Sequence, residues 1–269
     1  MNACYRIGTW LRHQFTSWNT GGEGIHSPYL FHLVRYVISD DNRYYCWAEI
    51  ENRRAAMLRA PKLLNVLDYG SGGNGSTQQR LVSHIAKTSL QTPANARIFF
   101  RLVNFLSHEK GSPLNIIELG TNLGITTAYL ASPNSRNRVT TFEGSPELVD
   151  MAQLNWKKLG IRNIRVVLGN IDDTLYSHTR AMEHAIIDVA YIDANHRYEP
   201  TVNYFDELVK FVEPKSVFIL DDIHHNPEME RAWNTLKNRR EVTTTMDFYH
   251  FGLLFFEPHY LKKHYILRI

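Results

Sequence analysis

The 269-residue sequence is poor in cysteine, in net charge and in long hydrophobic runs. Its two cysteines, Cys4 and Cys46, form neither a CxxC pair nor a metal-ligand pattern, which excludes a disulfide framework and suits a reducing compartment. Thirty basic against 27 acidic residues give a net charge of only +3, so the concentrated basic face of a nucleic-acid binder is not expected. The sequence has no apolar run long enough for a transmembrane helix and no signal-peptide core near its start. Together these absences predict a cytoplasmic protein without a nucleic-acid partner.

One stretch organises the rest of the chain, namely Asn115 to Leu130 with the sequence NIIELGTNLGITTAYL. It predicts a strand, a tight turn with Gly120 and Gly124, and the start of a helix. Because glycine accepts positive φ and lacks a side chain, we expect exposed N–H groups in this turn to face a small ligand. A dinucleotide fingerprint would need a glycine where Asn122 stands, and this argues against NAD and FAD.

Acidic side chains follow several of the strands predicted downstream. Glu143 ends the second strand, 25 residues after Glu118, where a carboxylate can accept both hydroxyls of a ribose. Asp193 ends the fourth strand, and Asp221 with Asp222 ends the fifth. The near-continuous apolar runs before Asp193 and before Asp221 are typical of parallel strands covered on both faces. We therefore expect the carboxylates to emerge at the same sheet edge as Gly120.

The pattern E-x-G-x-x-x-G-x-T, followed by four further units up to residue 257, resembles the class I S-adenosylmethionine (SAM) methyltransferases, and most closely their catechol O-methyltransferase-like group. The resemblance implies that SAM is the cofactor. Asn170 departs from the family, which usually has an acid at the turn that meets the adenine ring. The cofactor-binding residues that the resemblance implies are Glu118, Gly120, Asn122, Gly124, Thr126, Glu143, Asn170, Ile171 and Asp193.

The same resemblance implies a Mg²⁺ ion, or Ca²⁺, held by Asp193, Asp221 and Asp222, with aspartate in place of the family's usual asparagine. His196 stands where the family has a lysine base, and its unperturbed pKa of about 6.5 suits proton abstraction at neutral pH. Asp193 and His196 are therefore the predicted catalytic residues. Another interpretation stays open, in which strand-end aspartates only orient the cofactor's amino group or cap the next helix. The neighbouring His224 and His225 are expected in a solvated loop.

The order of the units predicts an α/β fold with a Rossmann-like seven-stranded sheet, mostly parallel with one antiparallel strand. Residues 1–90 are expected to form a helical N-terminal extension, and residues 91–269 the SAM-dependent methyltransferase domain. Within the extension, Ser27 and Pro28 predict a helix start. The segment from Gly70 to Gly75 predicts a glycine-rich loop whose sequence resembles that of the cofactor turn. The segment Gln78 to Lys87 is expected to be helical.

The most direct hypothesis is therefore SAM-dependent O-methylation of a small hydroxylated acceptor, with assistance from a divalent metal. A catalytically silent SAM-binding regulator or scaffold is the alternative. It would keep Glu118 and Glu143 but would need neither His196 nor the acids. A nucleotide-dependent oxidoreductase is disfavoured by Asn122, and base methylation by the lack of an N/D-P-P-Y/F motif. Homodimerisation through the N-terminal helices is a further hypothesis.

Overall fold

The computed structural model of the chain describes residues 3–17, 22, 24–69, 75–182 and 185–269. The chain divides into two compact units. The central unit comprises Asp40–Leu175, and the terminal unit comprises Met1–Ser39 together with Tyr176–Ile269. The division between these units does not fall at residue 90, where the sequence analysis expects a domain boundary. Residues 1–39 group with the last third of the chain, and residues 40–90 group with its middle.

The central unit contains three parallel strands in the order β3-β4-β5, which are Asn115–Leu119, Arg138–Glu143 and Ile164–Leu168. The helix α6 (Ile125–Ala131) connects β3 to β4, and α7 (Pro146–Leu159) connects β4 to β5. Three helices precede the strands: α3 (Trp47–Leu58), α4 (Val82–Ser89) and α5 (Pro93–Lys110). Repeated strand–helix–strand connections between parallel neighbours make this a Rossmann-like arrangement, as the sequence predicted.

A β-hairpin replaces part of the helix that the sequence predicted in this unit. Strand β1 (Leu63–Asp68) pairs antiparallel with β2 (Ser76–Leu81), from Leu63 opposite Leu81 to Asp68 opposite Ser76. The expected helix over Gln78 to Lys87 is therefore wrong for its first four residues, and α4 begins only at Val82. The reason is tertiary, because the polar run STQQRL hydrogen-bonds along the whole of β1. Of the expected glycine-rich loop, Gly70 to residue 74 lies outside the described residues.

The terminal unit contains five strands in the order β10-β8-β9-β7-β6. Strand β9 (Phe251–Phe255) runs antiparallel to both of its neighbours, β7 (Val217–Asp221) and β8 (Thr244–Asp247). The remaining strands, β6 (Val189–Ile192) and β10 (Lys263–Ile266), run parallel to β7 and β8, respectively. The single antiparallel strand confirms the expected sheet type. The two units contribute eight such strands among the described residues, one more than expected, because β10 was not recognised in the sequence KHYI.

The helices of the terminal unit are α1 (Ala3–Thr16), α2 (Pro28–Leu33), which continues as a π-helical segment Val34–Ile38, α9 (Tyr198–Leu208) and α10 (Pro227–Leu236). The helix α8 (Ile171–Arg180) begins in the central unit and continues into the terminal one. No helix within the described ranges is long and apolar enough to cross a membrane.

Proline in the first turn marks the start of α2, α5, α7 and α10, as the sequence predicted for α2. Ser27 and Thr92 accept capping hydrogen bonds from Leu30 N and Asn95 N. Ser145, at the corresponding position of α7, makes no such cap. Its hydroxyl instead accepts a hydrogen bond from Leu67 N, which attaches strand β1 to the start of α7.

Candidate active site

The turn after β3 is the predicted cofactor loop, and three of its residues have left-handed backbone angles. They are Gly120 at φ 100°, Asn122 at φ 51° and Gly124 at φ 73°. The N–H groups of Gly120 and Thr121 both donate to Phe142 O at 3.1 Å, and that of Gly124 donates to Thr121 O at 2.9 Å. The remaining two N–H groups of the turn donate to side chains. Asn122 N donates to the carboxylate oxygen Glu143 Oε2, and Leu123 N donates to the amide oxygen Asn122 Oδ1. The expectation of exposed N–H groups is therefore wrong, since every backbone donor of residues 120–124 already has a partner.

Glu118 is fully buried beneath this loop. Its Oε2 accepts hydrogen bonds from Thr127 Oγ1 at 2.5 Å and Thr141 Oγ1 at 2.6 Å. The hydroxyl of Thr141 has one proton, which it donates to Glu118. At the 2.5 Å contact between the two threonine hydroxyls, Thr121 Oγ1 is therefore the donor and Thr141 Oγ1 the acceptor. This chain of hydroxyls joins the loop, the following helix and the adjacent strand to one carboxylate. Glu118 thus positions the loop, and direct contact between Glu118 and a cofactor stays a prediction.

Glu143 lies at the carboxyl end of β4 and also supports the loop. Its Oε2 accepts from Asn122 N at 2.8 Å and its Oε1 from Ser145 N at 3.0 Å. Burial raises the pKa of Glu143, and these N–H donors oppose the shift because they favour the ionised form. Each oxygen still has a second lone pair that can accept a hydroxyl group. The arrangement fits the ribose-binding role predicted for this carboxylate.

Two further predicted contacts, Asn170 and Ile171, lie where β5 ends and α8 begins. Gly169 N donates to Glu143 O at 2.9 Å, which holds the ends of β5 and β4 together. Asn170 Oδ1 accepts from Asp172 N at 3.2 Å, so the side chain serves the start of the helix. Thr126, the remaining predicted residue of this unit, lies buried in the first turn of α6.

The predicted catalytic residues belong to the terminal unit, at the carboxyl ends of β6 and β7. The hydroxyl of Tyr191 lies 2.8 Å from Asp221 Oδ2 and 3.0 Å from Asp193 Oδ2. One hydroxyl cannot donate its single proton to two carboxylates at once. The conflict disappears if Asp221 is protonated. Burial and the nearby charges of Asp193 and Asp222 do raise the pKa of Asp221 well above its usual value.

His196 lies between the other two carboxylates. Its Nε2 is 3.2 Å from Asp193 Oδ1 and 3.2 Å from Asp222 Oδ2, distances that suit ion pairs, although neither approach has hydrogen-bond geometry. Burial alone would lower the pKa of His196, but the two carboxylates outweigh it and raise the pKa well above 6.5. The two carboxylates therefore favour the protonated form of this imidazole. The pKa of His196 is thus not the unperturbed one, and its role as a base stays a prediction.

The backbone around this acid–histidine cluster (Asp193, His196, Asp221, Asp222 and Tyr191) is strained. Asn195, His196 and Asp222 have φ values of 69°, 50° and 52°, which non-glycine residues adopt only at a cost of about 1–3 kcal/mol each. Side chains hold the turn in place, because Asn226 Nδ2 donates to His196 O at 3.0 Å and Arg197 Nε to Asn195 Oδ1 at 2.6 Å. Such imposed geometry is typical of functional sites.

Sequence reasoning missed two members of this region. Tyr191 was counted only as part of an apolar strand, although residues two apart on a strand share a face, and Tyr191 therefore lies on the same face as Asp193. His224 was expected in a solvated loop but is buried, with Nε2 2.9 Å from Asp247 Oδ2. His225 does lie partly exposed, with Nδ1 3.5 Å from Asp222 Oδ2.

The three predicted metal ligands, Asp193, Asp221 and Asp222, contact other protein side chains in this structure. Asp221 is hydrogen-bonded by Tyr191 and its pKa is raised well above the usual value by burial and the neighbouring carboxylates, while the imidazole of His196 lies between Asp193 and Asp222. Within the part of the chain that the structure describes, no group of three or more His, Cys, Asp or Glu side chains has an arrangement able to hold a metal ion. Binding of Mg²⁺ or Ca²⁺ by these aspartates stays a prediction of the sequence alone.

Residues 117–223 match a family model described as "Methyltransferase domain". Among curated proteins, the O-methyltransferase imqG of Aspergillus flavus is 24% identical over 196 residues, 70% of this chain and 73% of that protein. Two solved structures resemble the fold at 18% sequence identity. An O-methyltransferase of Bacillus cereus, in complex with SAH, aligns with a TM-score of 0.56 over 82% of this chain and 98% of that one. TomG of Streptomyces achromogenes is an O-methyltransferase involved in tomaymycin synthesis and was solved in complex with SAM. It aligns with a TM-score of 0.52 over 62% of this chain and 81% of that one.

Fold and sequence thus agree on the class of protein. Residues 117–223 carry a methyltransferase domain, and the chain is similar in sequence and in fold to SAM-dependent O-methyltransferases.

Proposed function

We propose that this enzyme transfers the methyl group of SAM to a hydroxyl oxygen of a small acceptor, and that the acid–histidine cluster takes up the hydroxyl proton. The observation that carries the proposal is His196 Nε2 at 3.2 Å from both Asp193 and Asp222, on turns with strained backbone. Strain of this kind is maintained only where the surrounding structure enforces it, and it is concentrated at functional sites.

The residues of the central unit that would hold SAM are those that the family resemblance implied. Glu143 would accept the ribose hydroxyls, and Asn170 with Ile171 would meet the adenine ring. When bound, SAM supplies a methyl group already activated on a sulfonium. The protein's tasks are therefore to align the acceptor oxygen, to exclude water and to remove a proton.

Proton uptake is assigned to the cluster as a unit. Two carboxylates with one imidazolium between them have a net charge of −1, so the group can accept one proton from a hydroxyl without forming a buried excess of positive charge. Interacting sites of this kind titrate together, so the proton belongs to the set of Asp193, His196 and Asp222. In this proposal the imidazolium of His196 first passes a proton to one of the two carboxylates, and the neutral imidazole then takes the proton of the acceptor hydroxyl.

Several finer predictions accompany this proposal. A small-molecule acceptor, cytoplasmic location and dimerisation through the N-terminal helices rest on the sequence. So does a helical N-terminal extension over residues 1–90 beside a methyltransferase domain over 91–269. Metal assistance rests on the family resemblance alone, and no step above requires it.

The first test is calorimetric titration of the purified chain with S-adenosylhomocysteine, with and without Mg²⁺, for the wild type and for Glu143→Ala. We expect binding that weakens at least about tenfold in the variant, since a lost charge-assisted pair of hydrogen bonds is worth well over 1.4 kcal/mol. Asp150→Asn, an exposed acid on α7, is the matched control and should bind as the wild type does. Equal affinity of all three proteins would refute the assigned role of Glu143.

The second test is transfer from methyl-labelled SAM to a panel of catechols, phenols and aliphatic alcohols. We expect product with at least one class, and a loss of kcat in His196→Gln with an unchanged affinity for S-adenosylhomocysteine. Cofactor binding without transfer to any acceptor would favour the catalytically silent alternative. Transfer that is stimulated by Mg²⁺ and abolished by EDTA would show that the aspartates rearrange to bind a metal.

A further inference from the structure

A cavity lies in the central unit, at the end of the sheet opposite to the cofactor loop. It has a volume of about 890 Å³ and opens beside the first residues of β4 and β5. The cofactor loop and Glu143 lie at the carboxyl ends of the same parallel strands. Arg138 and Glu143 begin and end β4, so at about 3.3 Å per residue they are roughly 16 Å apart. The cavity is therefore distinct from the residues assigned to SAM, and its volume suits a small organic ligand.

Four arginines line this cavity, against a single carboxylate, that of Glu49. They are Arg136, Arg138, Arg162 and Arg165, and all are exposed. Within the described ranges, none of the four guanidinium groups forms an ion pair or a hydrogen bond, whereas Arg239 of the same chain pairs with Asp206 at 2.7 Å. Four cations around one concavity repel one another, and an anionic ligand relieves that repulsion.

Strand register brings two of these arginines to one face of the sheet. Thr140 pairs with Arg165, and Val139 N donates to Asn163 O, so Arg138 and Arg165 lie on adjacent strands with an offset of two residues. Side chains alternate along a strand, and both arginines therefore point to the same side. Their Cα atoms are about 8 Å apart by the standard strand spacing. Two guanidinium groups at this separation can each hydrogen-bond to one of two neighbouring phosphate groups.

The loop that carries Arg136 and leads into β4 at Arg138 is held in place by two asparagines. Asn163 Nδ2 lies within 3.3 Å of three carbonyl oxygens, those of Ala131, Asn134 and Asn137. Asn137 Oδ1 accepts from Leu114 N at 2.9 Å, and its Nδ2 donates to Ser107 Oγ at 3.1 Å. Since the backbone at the mouth of the cavity is fixed, binding needs little ordering beyond the arginine side chains.

The rest of the lining suits a flat, partly apolar group. The ring of Tyr45 is 81% exposed, while its hydroxyl donates to Ser132 O at 2.9 Å, which fixes the ring beside the cavity. Ile50, Leu159 and Ile161 provide apolar wall. A planar ring can stack on the tyrosine while the charged end of the same molecule lies among the arginines.

From these features we propose that the cavity binds a nucleoside di- or triphosphate, with the phosphates on Arg138 and Arg165 and the base on Tyr45. This binding is independent of the methyl-transfer proposal, because it uses other residues at the other end of the strands. Nothing covalent is involved.

The test is calorimetry of the whole chain at about 0.15 M salt, where weak surface electrostatics are largely screened, with ADP, ATP and inorganic pyrophosphate as separate probes. We expect saturable binding of ADP and ATP, and weaker binding of pyrophosphate. The double variant Arg138→Ala/Arg165→Ala should bind ADP at least about tenfold more weakly, the loss expected when paired charge-assisted contacts are removed. In Tyr45→Ala, the advantage of ADP over pyrophosphate should disappear.

The matched control is Arg59→Ala/Arg240→Ala, which removes two exposed arginines that do not line the cavity. It should bind ADP within about twofold of the wild type, since distant surface charges contribute little at this salt. The thermal unfolding midpoint of each variant checks that it folds. If both double variants lost the same affinity for ADP, the effect would be one of general surface charge, and the proposal would be overturned. So would no saturable nucleotide binding, or binding of long polyanions such as heparin without binding of nucleotides.

Discussion

Trp156 Nε1 donates a hydrogen bond of 2.7 Å to the carbonyl oxygen of Gly124, and no side chain fits between these two residues. A Cβ atom on Gly124 would lie 2.7 Å from Trp156 Nε1 and 2.8 Å from the Cβ of Ala152. The second glycine of the cofactor turn is therefore required by a helix packed against the loop, in addition to its positive φ. Its absence of a side chain serves the protein interior rather than a ligand.

Gly124→Ala should destabilise the protein by about 2–4 kcal/mol, because it combines left-handed strain with a clash in a packed core. Gly160→Ala is a matched control, since Gly160 has φ 70° but a Cβ added there would meet no atom within 4 Å. It should cost only about 1–2 kcal/mol, the strain alone. Urea denaturation of both variants measures the difference. Equal costs would mean that Trp156 and Ala152 yield without penalty.

Thr141→Val tests whether buried Glu118 depends on its hydroxyl partners. The substitution keeps the shape of the side chain but removes the proton donated to Glu118 Oε2, and it interrupts the chain to Thr121. A loss of about 1–3 kcal/mol in the free energy of unfolding is expected, since a buried carboxylate loses a hydrogen bond. Thr88→Val, on the exposed end of α4, should change stability by less than about 0.5 kcal/mol. A neutral Thr141→Val would show that Thr127 suffices.

Tyr191→Phe tests the link between the aspartates of the acid–histidine cluster. Without the hydroxyl, neither Asp193 nor Asp221 keeps this hydrogen bond, and the orientation of Asp193 toward His196 loosens. We expect kcat to fall about tenfold or more, as is common when a hydrogen-bonded support of a reacting group is lost, with unchanged affinity for S-adenosylhomocysteine. Tyr176→Phe, on the surface of α8, should leave both unchanged. If kcat is unaffected, Tyr191 is only a packing residue.

Asp247 should make stability depend on pH in the acid range. Burial alone would raise its pKa, but the hydrogen bonds from His13 and His224 outweigh burial and hold the pKa far below the usual value. A depressed folded-state pKa stabilises the fold fully above the unfolded-state pKa of about 3.9, and this stabilisation is lost as pH falls below it. Asp247→Asn should therefore cost about 3 kcal/mol at pH 7. The difference from the wild type should shrink between about pH 4 and pH 2. A constant difference across that range, in denaturation curves measured at each pH, would contradict the assignment.

Much of this protein was readable from local sequence patterns. The proline and cap residues before α2 and α5 give the starts of these helices because their physics involves only neighbouring residues. Apolar runs ending in Asp193 and Asp221 predicted two strands and their acidic ends for the same reason. Strand β2 was missed because its polar sequence has no intrinsic strand preference, and it forms only by pairing with β1.

The sequence by itself determined the fold class, the position of the cofactor turn and the identity of the strand-end acids, since periodicity and turn chemistry are local properties. Only the tertiary structure decided the hydrogen-bond partners, the burial and the electrostatic surroundings of those residues. It gave the turn's N–H groups partners in the adjacent strand, buried Glu118 among threonines, and placed His196 between two carboxylates that raise its pKa. Hydrogen bonding, burial and electrostatic neighbours depend on residues distant in the chain, and they therefore appear only once the strands are side by side.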